Sequence, residues 1–283
     1  MADEISPLFS LPEDCIANII SFTSPKDACR ATAVSLGFKS AAESDAVWDL
    51  FLPPDYKEVV SGSNSPLTCS TKKEFYFSLC ESPLLIDGGK MSFRLSRSTG
   101  KKCYMLCARE VEIAWIHTPM HWTWTSLPES RFAEVAELLS VCWLEIRGTL
   151  RSQMLSPKTN YSAYLVFKLS ENHYGLHCSS KASVKVVKES TTKTEGDINT
   201  VYIVPPTNRR VKFRCRRPRL LPLRNAEGRV PFSRTDGWLE IELGEFFIDE
   251  GDEFDVQIQL CETEHLNWKK GLIVEGIEVR PKE

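Results

Sequence analysis

The chain begins with helical hydrophobic periodicity, as far as Pro53-Pro54, and ends with strand alternation, and that change limits its possible folds more than any other feature. Before the prolines, apolar residues recur at helical spacing: Ile16, Ile19 and Ile20, then Ala28, Cys29, Ala31 and Val34, then Val47, Trp48 and Phe51. Far beyond them the apolar residues alternate. Tyr161–Leu169 (YSAYLVFKL) places Tyr161, Ala163, Leu165, Phe167 and Leu169 on one face of a strand. Cys142–Ile146, Ala182–Lys188, Val201–Val204, Val211–Cys215, Trp238–Leu243, Phe254–Leu260 and Leu272–Val279 read as further strands, whereas Glu134–Ser140 suits helix or strand. Many short strands separated by Gly, Pro and Asn, after an all-helical start, predict a small all-α domain followed by an all-β antiparallel sandwich.

The helical part carries its own punctuation. Ser10-Leu11-Pro12-Glu13 is a capping box with proline in the first turn, and Ser24-Pro25-Lys26-Asp27 restarts a helix by the same chemistry. A third helix over Asp45–Leu52 stops at the two prolines. Three short helices make a small core, and their surplus of apolar positions predicts a face that docks onto something else. Ser61–Pro66 is linker chemistry, and Thr71-Lys72-Lys73-Glu74 opens a short helix that ends at Pro83. Asp87-Gly88-Gly89 is a hairpin turn ahead of Met91, Phe93 and Leu95. The expected division is therefore 1–56 three-helix domain, 57–103 linker with bridging helix and hairpin, and 104–283 sandwich.

Composition excludes more than it assigns. No apolar run approaches the roughly 20 residues of a membrane helix, and the acidic N-terminus lacks the basic start of a signal peptide. Ten scattered cysteines without CxxC pairs read as reduced thiols of the cytoplasm and nucleus. His117/His121 and His173/His177 lie outside helical patterns, so no metal or cofactor is expected. No Ser/His/Asp set, phosphate loop or paired glycosidase carboxylates stand out, and a non-catalytic protein is expected. Arg209–Arg219 reads as a solvated basic strand face; it lacks the interleaved exposed aromatics of a nucleic-acid platform.

Functional chemistry concentrates in Glu112–Leu127 (EIAWIHTPMHWTWTSL), which holds three of the seven tryptophans. Val111–His117 alternates like a strand until Thr118-Pro119 breaks it. An indole offers a flat apolar face with an N–H at its rim, which suits the C–H face and hydroxyls of a sugar ring. Tryptophan bulk is also core material. Strand phase puts Trp115 on the side of Val111 and Ile113, so either it ends its strand at a rim or it is buried.

Two resemblances rest on these residues. Leu11-Pro-Glu-Asp-Cys-Ile16, Ile19-Ile20-Ser-Phe-Thr-Ser-Pro-Lys-Asp-Ala-Cys-Arg30, Val34-Ser35, Phe38, Asp45-x-Val47-Trp48 and Phe51-Leu52-Pro53 resemble a plant F-box over about residues 8–54. The resemblance implies docking to the Skp adaptor, and through it to the cullin of a ubiquitin ligase. By position, Leu11, Pro12, Ile16, Ile19 and Ile20 would contact the adaptor.

The second covers about residues 104–283. Ala108–Trp115, His121–Trp124, Val135–Leu138, Tyr164–Leu169, Asp236–Phe247 (DGWLEIELGEFF) and Trp268–Pro281 resemble the phloem protein 2, or tobacco-agglutinin (Nictaba)-like, lectins. This implies a jelly-roll-like lectin sandwich that binds N-acetylglucosamine oligomers and N-glycan cores. By motif position its sugar-binding residues would be Trp115 and Trp122, with Trp124 in the core. The combined expectation is an F-box substrate receptor that selects glycoproteins by sugar. The alternative is a receptor whose sandwich reads a protein surface, its tryptophans being structural.

Overall fold

A computed structural model describes residues 11–63, 67–187, 197–206 and 228–282. The chain packs as two units, Met1–Cys103 and Tyr104–Glu283.

The first unit is helical and ends in a hairpin. Helix α1 (Glu13–Ser21) starts behind Pro12, which offers no side-chain cap; Ser10, expected to cap it, lies outside the described residues. Ser24 caps α2 (Pro25–Ala31) by accepting the Asp27 N–H at 3.1 Å. A helix that the periodicity does not separate follows: α3 (Leu36–Glu43), capped by Ser35, which accepts from the Phe38 N–H at 3.3 Å. Gly37 obscures it in the sequence, yet at the second helical position glycine costs little. Then come α4 (Asp45–Phe51), α5 (Tyr56–Ser61) and α6 (Lys72–Glu81). At α6 the capping box closes from both sides. Thr71 accepts the Glu74 N–H at 3.1 Å, and Glu74 accepts the Ser70 N–H at 3.0 Å.

Trp48 holds this unit together. Its buried indole donates to the Ala42 carbonyl at 2.7 Å, and its ring packs on Tyr76 and Phe77 of α6. Beyond α6, β1 (Leu84–Ile86) and β2 (Met91–Leu95) pair as a hairpin about Asp87–Gly89. Gly100 turns the chain at φ +69°, where a Cβ would stand 2.7 Å from the Phe51 carbonyl oxygen, so only glycine fits.

The second unit is two antiparallel sheets, in line with the expected sandwich. Its strands are β3 (Lys102–Cys107), β4 (Glu112–Ile113), β5 (Trp122–Thr125), β6 (Val135–Leu138), β7 (Leu144–Arg151), β8 (Thr159–Tyr174), β9 (Ser180–Val187), β10 (Ile198–Val201), β11 (Phe232–Ser233), β12 (Leu239–Ile248), β13 (Asp255–Glu262) and β14 (Lys270–Pro281). One sheet runs β3-β14-β8-β12-β11, with β6 also on β14 and β5 on β6. The other runs β10-β9-β13-β7-β4.

Strand β7 shows the sandwich pattern plainly. Leu144, Ile146 and Leu150 are buried, while Arg147, Thr149 and Arg151 face out. Gly148 lies inside, and a Cβ there would meet Ile277 of the opposite sheet at 2.9 Å. Each fully buried Leu, Ile or Phe of these inner faces stabilises the fold by about 1.5–3 kcal/mol. Val135–Leu138, of ambiguous propensity, is strand because β14 and β5 pair with it on both sides. The DGWLEIELGEFF block supplies β12 and its turn. Asp236 accepts the Trp238 N–H at 3.2 Å, and the buried Trp238 indole donates to the Glu129 carbonyl at 3.2 Å. The expected strand Val211–Cys215 and the basic run Arg209–Arg219 lie outside the described residues.

Candidate functional site

In the first unit, helical phase divides the residues assigned to the adaptor. Ile16 and Ile20 point into the core, 4% and 3% exposed, and pack among the helices instead of facing outward. Ile19 and Phe22, three apart, point out at 49% and 84% exposure. Pro12 is exposed and Leu11 half-buried at the start of α1, and Leu36 opens α3 fully exposed. Pro12, Ile19, Phe22 and Leu36 thus face outward, and Val34 and Leu50 are exposed as well. Phe22 and Leu36 were not singled out by the sequence reading; an apolar residue out of phase with a buried stripe is the signal that marks them.

In the second unit, the tryptophan stretch folds unlike a strand. Strand β4 stops at Ile113, four residues earlier than the alternation predicts. Ala114 N–H still bonds the Glu145 carbonyl at 3.0 Å, but Trp115 then adopts φ +66°. That left-handed conformation is rare for a bulky side chain and costs on the order of 1–3 kcal/mol. It throws the indole off the Val111/Ile113 phase into solvent, 56% exposed. Of the two outcomes open from strand phase, Trp115 takes the rim.

Trp122 does the opposite. Its ring is 2% exposed, and its N–H donates to the Ala114 carbonyl at 3.0 Å. A ring so covered has no face left for a sugar, so the stacking role expected of Trp122 does not fit its placement. It anchors the backbone residue that precedes Trp115. Trp124 is half-buried under the Arg109 guanidinium, 3.6 Å from its ring centre, and Arg109 is in turn held by Glu134 at 2.7 Å.

His121 completes the rim. Its ring meets Trp115 edge-on at 6.1 Å, and Nδ1 lies 2.6 Å from the Ser140 carbonyl oxygen. A carbonyl only accepts, so Nδ1 carries the proton and Nε2 is the acceptor of the neutral ring. An exposed indole edged by a fixed imidazole can stack on an apolar ring face and take a hydroxyl beside it.

Two exposed tryptophans nearby were missed. Trp143 (45% exposed) leads into β7 and Trp268 (57%) precedes β14, joined across the Val141–Lys269 bridge. Trp143 falls on the polar phase of β7, with Glu145, Arg147 and Thr149, and a tryptophan in a polar phase is the signal that would have found it. The bridge rests on a buried charge. Lys269, 1% exposed, donates to the Cys142 and Asn267 carbonyls at 2.9 and 2.8 Å and pairs with buried Glu262. Burial pushes the Glu262 carboxyl up, but hydrogen bonds from Lys269 and His265 outweigh it and hold the group below its ordinary value.

The comparisons agree with this architecture. The sequence model of the F-box domain matches residues 8–50, and that of phloem protein 2 matches residues 101–281. From Arabidopsis thaliana, F-box protein At2g02240 is 46% identical over 98% of this chain and 81% of its own length. Putative F-box protein PP2-B12 is 46% identical over 96% and 97%, and F-box protein VBF is 39% identical over 97% and 100%. Among solved structures, a xylan-binding domain from Paenibacillus barcinonensis is similar at TM-score 0.30 and 11% identity, over 62% of this chain and 87% of its own, too distant to assign anything. The chain belongs to the F-box proteins that carry a phloem protein 2 domain, an architecture that implies the substrate receptor of a Skp–cullin–F-box ubiquitin ligase.

Proposed function

We propose that this receptor selects its substrates by a glycan, binding an N-acetylglucosamine oligomer or N-glycan core on a target glycoprotein at the Trp115 rim. The observation that carries this reading is Trp115 itself, held in solvent at a backbone angle that a bulky residue avoids. Strained backbone clusters at ligand sites, and this supports a use for the exposed indole. The adaptor would meet the outward residues Pro12, Ile19, Phe22 and Leu36, with Ile16 and Ile20 as their support. Cytoplasm and nucleus are the proposed locations; the nine cysteines among the described residues are free thiols, as a reducing compartment maintains them.

Titration of the full-length chain with chitotriose tests the glycan reading. A small hydrated ligand on a shallow site should bind with a dissociation constant of roughly micromolar to millimolar. Trp115→Ala should weaken it about tenfold or more while the unfolding transition stays in place. Trp122→Ala should instead cost about 3–5 kcal/mol of stability, since it empties a core site. The second reading, a sandwich that recognises a protein surface, is favoured by Met120 (76% exposed) and Leu139 (40%) in the two segments that meet at His121. Wild-type chain that ignores chitotriose leaves that reading standing.

A further inference from the structure

The outer face of the five-stranded sheet, whose edge strand β4 leads into Trp115, carries rows of polar groups, and Trp143 precedes β7 in the same phase. The strand register places Ser183, Gln259, Arg147 and Glu112 side by side across β9, β13, β7 and β4. Lys185, Gln257 and Thr149 form the next row. Between these rows lies a pocket of about 270 Å³, walled by amide, hydroxyl, guanidinium and carboxylate groups.

A solvated sheet face ordinarily carries such residues without order. Here one carboxylate organises three neighbours. Glu145 accepts from Gln259 Nε2 at 2.7 Å, from the Arg147 guanidinium, and from Trp143 Nε1 at 3.3 Å. The bond to Trp143 fixes an indole that is otherwise 45% exposed, so its face is set before any ligand arrives. The Ala114–Glu145 backbone bond ties this cluster to the residue preceding Trp115. Trp143 and Glu145 lie on the same face of β7 as Arg147, outside the pocket itself, and an aromatic face followed by a charged pair and side-chain amides suits a chain of pyranose rings, where apolar faces and hydroxyls alternate.

We propose that Trp143, Glu145, Arg147 and Gln259 form a second sugar subsite, continuous with the Trp115 rim, so that the ligand is an oligosaccharide lying across β7 and β13. This inference rests on the glycan reading of Trp115. Trp143 stacks on one ring, Glu145 positions it, and Gln259 and Arg147 contact hydroxyl or acetamide oxygens on the pocket side.

The test is calorimetric titration of the full-length chain with chitobiose and chitotetraose, read as the ratio of the two dissociation constants. In wild type the longer oligomer should bind about tenfold tighter or more, as an added stacking contact predicts. Trp143→Ala should collapse that ratio to below about threefold, and Trp143→Phe, which keeps an aromatic face, should restore most of it. Glu145→Gln, which cannot satisfy Arg147, should also lower the ratio, and it serves if Trp143→Ala fails to fold. Chitobiose binding that depends on Trp115, with no length gain in wild type or an unchanged ratio in the Trp143 and Glu145 variants, overturns the second subsite alone. No binding of either oligomer by wild type overturns the Trp115 reading, and the subsite with it.

Discussion

The helices α1–α4 and the tryptophan corner of the sandwich both expose large apolar side chains, but on different foundations. Among the described residues, the largely buried groups of α1–α4 are mostly apolar, Ile16, Ala17, Ile20, Ala28, Ala41, Ala42, Val47 and Trp48 among them. Beneath Trp143 and Trp268 lies a buried lysine on a buried glutamate, and elsewhere in the sandwich Glu275 and Glu278 are each 1% exposed. The lesson concerns what each surface must do. A docking face needs area, and a small close-packed core presents area. A site that reads polar ligands needs direction, and buried hydrogen-bonded charges fix direction at the risk of instability when one partner goes.

The largest effect expected breaks the second foundation. Lys269→Met leaves the Glu262 carboxylate buried without its cation and should cost about 3–5 kcal/mol, measured by urea unfolding. The same pair sets a pH dependence. Because the Glu262 carboxyl is held below its ordinary value, its contribution is present above about pH 4.5 and disappears as pH falls through the lowered value. An unfolding midpoint unchanged in Lys269→Met would show that the corner does not rest on this pair.

Next comes a pair of substitutions on one helix. Ile16→Asp buries a charge among apolar groups and should destabilise the first unit by several kcal/mol, on the order of 3–5. Ile19→Asp, at 49% exposure, should leave the fold within about 0.5 kcal/mol of wild type and weaken co-purification with a Skp adaptor. If Ile19→Asp retains the adaptor in full, the outward face is not the contact.

Trp115→Gly probes the rim by relief rather than damage. Glycine accepts φ +66° without steric cost, so the variant should be up to about 1 kcal/mol more stable than wild type while losing chitotriose binding. A loss of stability would mean that the indole packs in solution.

The smallest effect separates the foundations by titration. Burial pushes the Glu275 carboxyl up, only partly offset by Arg131 and Ser130. A raised carboxyl contributes stability below its ordinary value and loses it as pH rises through the raised one. Glu275→Gln should therefore gain on wild type as pH rises above about 4.5, by within about 1 kcal/mol. A difference between the two proteins that stays constant with pH would remove Glu275 from the account.

Local chemistry was legible where it acts within a few residues. The Ser24 and Thr71 caps formed where their motifs stand, and the alternation of β7, β8, β13 and β14 found the sandwich. Phase was less legible. The stripe Ile16, Ile19, Ile20 does not say which two face inward, because that depends on the packing of α3 and α4 against α1. At Trp115 the phase pointed to the core, and a single positive φ reversed it. Trp122 matched a motif position whose neighbours then buried it. Trp143 was readable in principle, since it breaks the polar phase of β7, but its tie to Glu145 is a property of the folded strand.

The placement of the indoles has an optical consequence. Trp48, Trp122 and Trp238 are sealed from water, whereas Trp115, Trp143 and Trp268 are each about half exposed, and all three belong to the sandwich. Solvent relaxation shifts the emission of an exposed indole to the red, so the red side of this protein's fluorescence comes chiefly from the corner and not from the F-box. A ring laid over Trp115 or Trp143 would exclude solvent and move that emission to the blue, while an adaptor on α1 would leave it in place. The unlabelled chain can therefore tell which of its two surfaces is occupied.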